Sequence, residues 1–216
     1  MKRYAVRFAA MLIAVASLAS LSVTSAHADA RTDCFSDDNQ RRLTGCSTLL
    51  QDPATGPFTR AKAHASRAYA LSMAGRFQQA IRDYDAALKL DPAFALAWNN
   101  RAWSLFKLGR AAEGLPDVER AIALNPSSPH AFDTRAHIRQ RLGQPERSYR
   151  DYVSAIMLGG TRLTRLYQCG LQERGLYLGP LDGRDSQELR KAMRVCVKNT
   201  RCDPLPVDEH CRQATS

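Results

Sequence analysis

Between Cys46 and Cys169 the chain has no cysteine, and nowhere in its 216 residues do five like charges run together. Aromatic residues make up only 7% of it, with two tryptophans. Past residue 28 no apolar stretch approaches the roughly 20 residues that a membrane-spanning helix needs. H-E-x-x-H, G-x-S-x-G, a phosphate-binding glycine loop and C-x-x-C are all missing. Those absences remove the motif-bearing metalloproteases, hydrolases, nucleotide-binding folds and dithiol oxidoreductases from consideration. What remains has 44% apolar and 24% charged residues, with 12 glycines and 10 prolines, which suits a folded chain and excludes a disordered or collagen-like one.

Residues 1–28 open with Lys2, Arg3 and Arg7, continue through the apolar stretch Phe8 to Val23 and close on Ala26-His27-Ala28. A basic start, a short apolar core and a small-x-small end predict a signal peptide cleaved before Asp29 or after Ala30, hence an exported, periplasmic or extracellular protein with no membrane span after cleavage. Three of the 31 basic residues and none of the 21 acidic ones lie there, so the rest carries +7 instead of +10, spread thinly. No nucleic-acid partner is expected from that distribution.

Export to an oxidising compartment makes the even set Cys34, Cys46, Cys169, Cys196, Cys202 and Cys211 a set of disulfide staples at the two ends of the chain. Neighbouring pairs predict Cys34 with Cys46, Cys169 with Cys196 and Cys202 with Cys211. Neither a metal site nor a cofactor is expected, since no histidine stands at ligand spacing from these cysteines.

From residue 61 the sequence repeats every 34 residues. Ala68, Ala102 and Ala136 fall in register, as do Gly75, Gly109 and Gly143, Arg67, Arg101 and Arg135, and Ala87, Ala121 and Ala155. Three units follow, at 61–94, 95–128 and 129–160. Within the first, Ala61 to Ala74 and Phe77 to Leu90 carry apolar residues at three- and four-residue steps around Gly75, with Asp91-Pro92 as a stop, so each unit reads as a helical hairpin. Residues 29–60 form either a capping half-repeat, with Arg41 to Gln51 as its helix, or an irregular stapled extension.

The period, the small residues at 68, 80 and 87, the ring of Tyr84 and the proline at 92 resemble the tetratricopeptide repeat. The resemblance implies an all-α array whose first helices line a groove for a protein segment, a binding function and no catalysis. Carried over position by position, it implies groove residues Tyr69 and Met73 in the first unit, Asn99, Asn100, Trp103, Phe106 and Lys107 in the second, and His137 and Arg141 in the third.

Past Gly159-Gly160 the period fails. Thr161 to Arg174 and Ser186 to Lys198 read as two helices, the second capped by Asp185, joined by Gly175-Leu176-Tyr177-Leu178-Gly179-Pro180-Leu181-Asp182-Gly183. That link resembles the peptidoglycan-binding-like module, which implies a separate small helical module over 161–216, wall contact at Tyr177 and Asp182, and peptidoglycan as a second partner. An envelope hydrolase or its accessory, or a purely structural array closed by a capping module, are the competing readings.

Overall fold

The computed structural model describes residues 29–206, and every regular element among them is helical. Residues 1–28, the expected signal, and Cys211 lie outside the described residues. No helix among the described residues is long and apolar enough to cross a membrane. The chain divides into a unit ending at Asp91 and a unit beginning at Pro92.

The first unit opens with helical residues 29–34, followed by α1 (Asn39–Gln51), α2 (Pro57–Met73) and α3 (Phe77–Leu90). Helix α1 begins two residues before the expected Arg41, because the Asp38 carboxylate accepts the Arg41 N–H at 2.7 Å as an N-cap. Cys34 and Cys46 are disulfide-bonded. Gly45 lets the two segments meet, since a Cβ there would lie 2.5 Å from the Cys34 nitrogen. Leu49 and Cys46 then pack on Ala63 of α2. The Arg60 guanidinium donates to the carbonyls of Leu50, Asp52 and Thr55, satisfying the exposed end of α1.

The second unit contains α4 (Ala95–Lys107), α5 (Ala111–Leu124), α6 (Pro129–Arg141), α7 (Pro145–Glu173) and α8 (Gln187–Cys196). The repeating glycines explain themselves here: Gly75, Gly109 and Gly143 close the helices α2, α4 and α6 at φ of 72°, 78° and 69°, a left-handed backbone that side chains with a Cβ avoid.

Each hairpin is clasped by the same ion pair. Arg67 reaches Asp83 at 2.7 Å through both Nε and Nη2, Arg101 reaches Asp117 at 2.7 and 2.8 Å, and Arg135 reaches Asp151 at 3.0 and 2.8 Å. The forked geometry matches guanidinium to carboxylate bidentately. Burial pushes the Asp83 carboxyl up, but the Arg67 and His64 bonds outweigh it and hold its pKa below the ordinary value.

Helix α7 is broken at Gly160 (φ 60°, ψ −157°), which ends the third hairpin where the period ends. No separate core follows. Tyr149, Tyr152 and Ile156 of the hairpin share one buried cluster with Leu163, Tyr167, Leu171, Tyr177, Leu189 and Met193, so residues 161–197 continue the hairpin's core instead of folding around their own. The second helix starts at Ser186, whose side chain accepts the Leu189 N–H at 3.1 Å; Asp185, the expected cap, pairs with Arg190 instead.

Two of the expected disulfides are not formed. Cys196 bonds to Cys202, which lies in the turn six residues on, and Cys169 is disulfide-bonded without using Cys196. Helix α8 ends at Cys196, and the turn bonds Asn199 N to Cys196 O and Cys202 N to Asn199 O bring Cys202 back beside it.

Candidate functional site

The residues that the repeat pattern assigns to a groove lie on α2, α4 and α6. In the first unit Tyr69 and Met73 are exposed on α2, with the Arg42 guanidinium 5.0 Å from the Tyr69 ring centre. In the second unit the structure brings five of them together. Trp103 and Phe106 are half-buried with ring centres 5.2 Å apart, and His137 meets both edge-on at 5.4 and 5.9 Å. The Lys107 ammonium lies 5.6 Å over Trp103 and the Arg141 guanidinium 5.0 Å over Phe106, so the aromatic pair is flanked by two cations. Asn99 is buried, and its Nδ2 donates to Asn100 Oδ1 at 3.1 Å. Its own Oδ1 is buried and accepts no hydrogen bond among the described residues.

His137 is not an open groove residue. It is 4% exposed, lying under the chain's own C-terminal strap, Asn199 to Pro206. Its Nδ1 faces the Asp133 carbonyl at 2.9 Å and its Nε2 the Asp203 carboxylate at 3.0 Å. The Asp133 carboxyl accepts the Tyr167 hydroxyl at 2.5 Å. Gln140, one turn along, holds the strap by its main chain: its Nε2 donates to Asn199 O at 2.6 Å, Cys202 O at 2.7 Å and Cys196 O at 3.2 Å, while Tyr152 donates back to its Oε1 at 3.2 Å. Gly170 supplies the other wall. A Cβ there would lie 2.2 Å from Pro204 O, so only glycine lets the strap settle.

Charge completes the clamp. Burial alone would favour a neutral imidazole, but the Asp133 carboxyl and the Asp203 carboxylate outweigh it and raise the His137 pKa to about 9. Burial pushes Asp203 up too, yet its bond to His137 wins and its pKa falls below the ordinary value. Asp133 goes the other way, raised by full burial. Because the folded His137 pKa lies above its ordinary 6.5, the clamp's stabilisation is complete below pH 6.5 and is lost as pH rises through about 9. A shift of this size corresponds to about 3 kcal/mol. Denaturant midpoints of the protein are therefore expected to drop between pH 6.5 and 10 more than those of His137→Gln; parallel curves for the two proteins would contradict the charged clamp.

The strap shows its meaning against the 34-residue register. Asp133, His137 and Gln140 occupy on α6 the positions that Asn99, Trp103 and Phe106 occupy on α4. The two residues that grip the strap, His137 and Gln140, therefore stand in register with the aromatic pair Trp103 and Phe106, and Asp133, which faces His137, with Asn99 and its orphan acceptor.

Residues 63–129 match the family model of the tetratricopeptide repeat. A search of curated proteins returns no match. Among solved structures, a MamA double mutant (RS-1 ArsTM) is 18% identical, covers 74% of this chain and 83% of its own, and superposes with a TM-score of 0.53, which shows a shared fold. The first tetratricopeptide unit of Spaghetti, bound to the HSP90 peptide SRMEEVD, is 27% identical over 47% of this chain and 80% of its own, with a TM-score of 0.46. YrrB, described as a tetratricopeptide protein with an unusual peptide-binding site, is 13% identical over 82% of each chain, with a TM-score of 0.49.

At the C-terminal end the expected wall-contact residues are tied up internally. Tyr177 is buried, its hydroxyl donating to Pro180 O at 2.9 Å. Asp182 accepts from Gln168 Nε2 and from Arg184 N, both at 2.9 Å. Gln168, which the sequence did not single out, also takes the Gly183 N–H at 2.8 Å and so fixes the whole glycine-rich link.

Proposed function

We propose that the protein is an exported, non-catalytic interaction scaffold whose α4 face, centred on Trp103, receives an extended segment of a partner protein. The observation that carries this reading is the strap on α6: the same face, one repeat along, already holds a non-helical segment of the chain through two main-chain carbonyls and one carboxylate. On α4 the corresponding positions are Asn99, Trp103 and Phe106, with Lys107 and Arg141 beside them for an acidic group on the partner. Export rests on the signal-like residues 1–28 and on the end-clustered, disulfide-bonded cysteines.

The test uses the chain from Asp29 onward against short synthetic peptides of varied sequence. Peptides with an acidic residue near a proline are expected to be retained, and Trp103→Ala to weaken them by about tenfold or more. Retention that ignores Trp103 and Lys107 would overturn the groove. Full-length protein made in a Gram-negative host is expected in the periplasmic fraction beginning at Asp29 or Arg31; a cytoplasmic product keeping residues 1–28 would remove the export half.

A second reading, contact with peptidoglycan, is favoured by an open cleft of about 480 Å³ at the C-terminal end. Leu176, Leu178, Pro180, Lys191 and Val195 line it, and Leu178 is 90% exposed. Co-sedimentation with purified sacculi that persists at moderate salt and fails in Leu178→Asp supports it; sedimentation unaffected by that change removes it.

A further inference from the structure

The first unit has a cleft of about 490 Å³ between α1 and α3, floored by Arg67 and Leu71 of α2. This is within the size range of small-ligand sites. Arg76 and Arg82 line it, both exposed and neither with an ion-pair partner among the described residues. The acid in the lining, Asp83, is already saturated: Arg67 holds both its oxygens and His64 faces Oδ1 at 2.9 Å. Arg67 and Asp83 cancel, so the lining keeps two uncompensated positive charges. The side-chain amides of Gln40 and Gln79 face the same space and make no hydrogen bond among the described residues.

The repeat provides its own internal control. In the second hairpin the residue in register with Arg76 is Arg110, which is paired bidentately with Glu113 in the first turn of α5. In register with Glu113 the first hairpin has Gln79, and the first turn of α3 holds no acid. The third hairpin has no arginine at this position, where Gln144 stands, with Arg147 in register with Glu113. Of the two hairpins that carry the arginine, the first has an amide in place of the neutralising acid and leaves the arginine lining a concavity. An anion entering there also approaches the N-terminus of α3, which has no side-chain cap and favours negative charge.

We propose that this cleft is an anion site, in which Arg76 and Arg82 each pair with a two-oxygen anionic group, carboxylate or phosphate, of one small oligoanion, with Gln40 and Gln79 donating around it. This site is independent of the peptide groove on α4.

Calorimetric titration of the chain from Asp29 onward with citrate and, separately, with inorganic pyrophosphate at low ionic strength tests it. At least one is expected to bind, and Arg76→Gln with Arg82→Gln to weaken it by about tenfold or more. Arg120→Gln with Arg150→Gln, which removes two exposed charges elsewhere, is expected to leave it unchanged. Citrate alone assigns the carboxylate source and pyrophosphate alone the phosphate source; either supports the site. Binding of neither probe, or equal loss in the two double variants, overturns it.

Discussion

Replacing Gly170 with alanine is expected to eject the C-terminal strap. The new Cβ would lie 2.2 Å from Pro204 O, 2.6 Å from Leu205 C and 2.7 Å from Pro206 N, all main-chain atoms that cannot turn aside. Overpacking of this kind costs typically about 1–3 kcal/mol. Lifting the strap also strips His137 of Asp203 and Gln140 of two of its acceptors, leaving buried polar groups without partners. Three readings follow together: faster amide exchange at residues 199–206, a lower denaturant midpoint, and a His137 pKa that falls from about 9 toward its ordinary 6.5. Gly56→Ala is the matched control, because nothing lies within 4 Å of a Cβ there. Unchanged exchange at the strap in Gly170→Ala would show that the strap is not seated as described.

The second large effect belongs to Asp151. Its side chain is 4% exposed and serves two guanidinium groups, Arg135 at 2.8 Å and Arg139 at 2.8 Å. Removing one partner of a buried pair typically costs about 3–5 kcal/mol, since the remaining charge has lost its compensation without regaining water. Asp151→Ala is expected to destabilise the second unit by that order, measured from urea denaturation. Glu113→Ala, which breaks the exposed pair with Arg110, is expected to leave stability unchanged. A loss at Asp151 no larger than at Glu113 would mean that the clasp aligns the hairpin without holding it.

The clasp was half visible in the sequence. Arg67, Arg101 and Arg135 stand out at the 34-residue spacing, and Asp83, Asp117 and Asp151 share it, but an exposed charge and a buried one look alike until the second helix is laid against the first. The hairpins themselves were legible because glycine, alanine and leucine recur where the backbone turns and the helices touch. Beyond Gly160 legibility failed for a physical reason. Turn signals such as Gly179-Pro180 and Asp182-Gly183 describe the local chain, whereas Tyr177 and Leu189 are placed by the core they share with the third hairpin, and Gln168 by its bonds to the link, which no local pattern encodes. The same holds for the site. Trp103, Phe106, Lys107 and Arg141 were found by register, but the burial of His137 depends on Asp203, far along the chain and marked by nothing except an extended Asp-Pro-Leu-Pro.

That distance also sets an order of events. Each Arg–Asp clasp closes a span of 16 residues, so a hairpin can form as soon as its own helices exist. The bond from His137 to Asp203 closes a span of 66. Contacts between residues distant along the chain form late, since their loop entropy must be met before they contribute. The α6 face is therefore complete, and uncovered, before the strap arrives. In the interval, a neighbouring copy's strap would fit it as well as the chain's own.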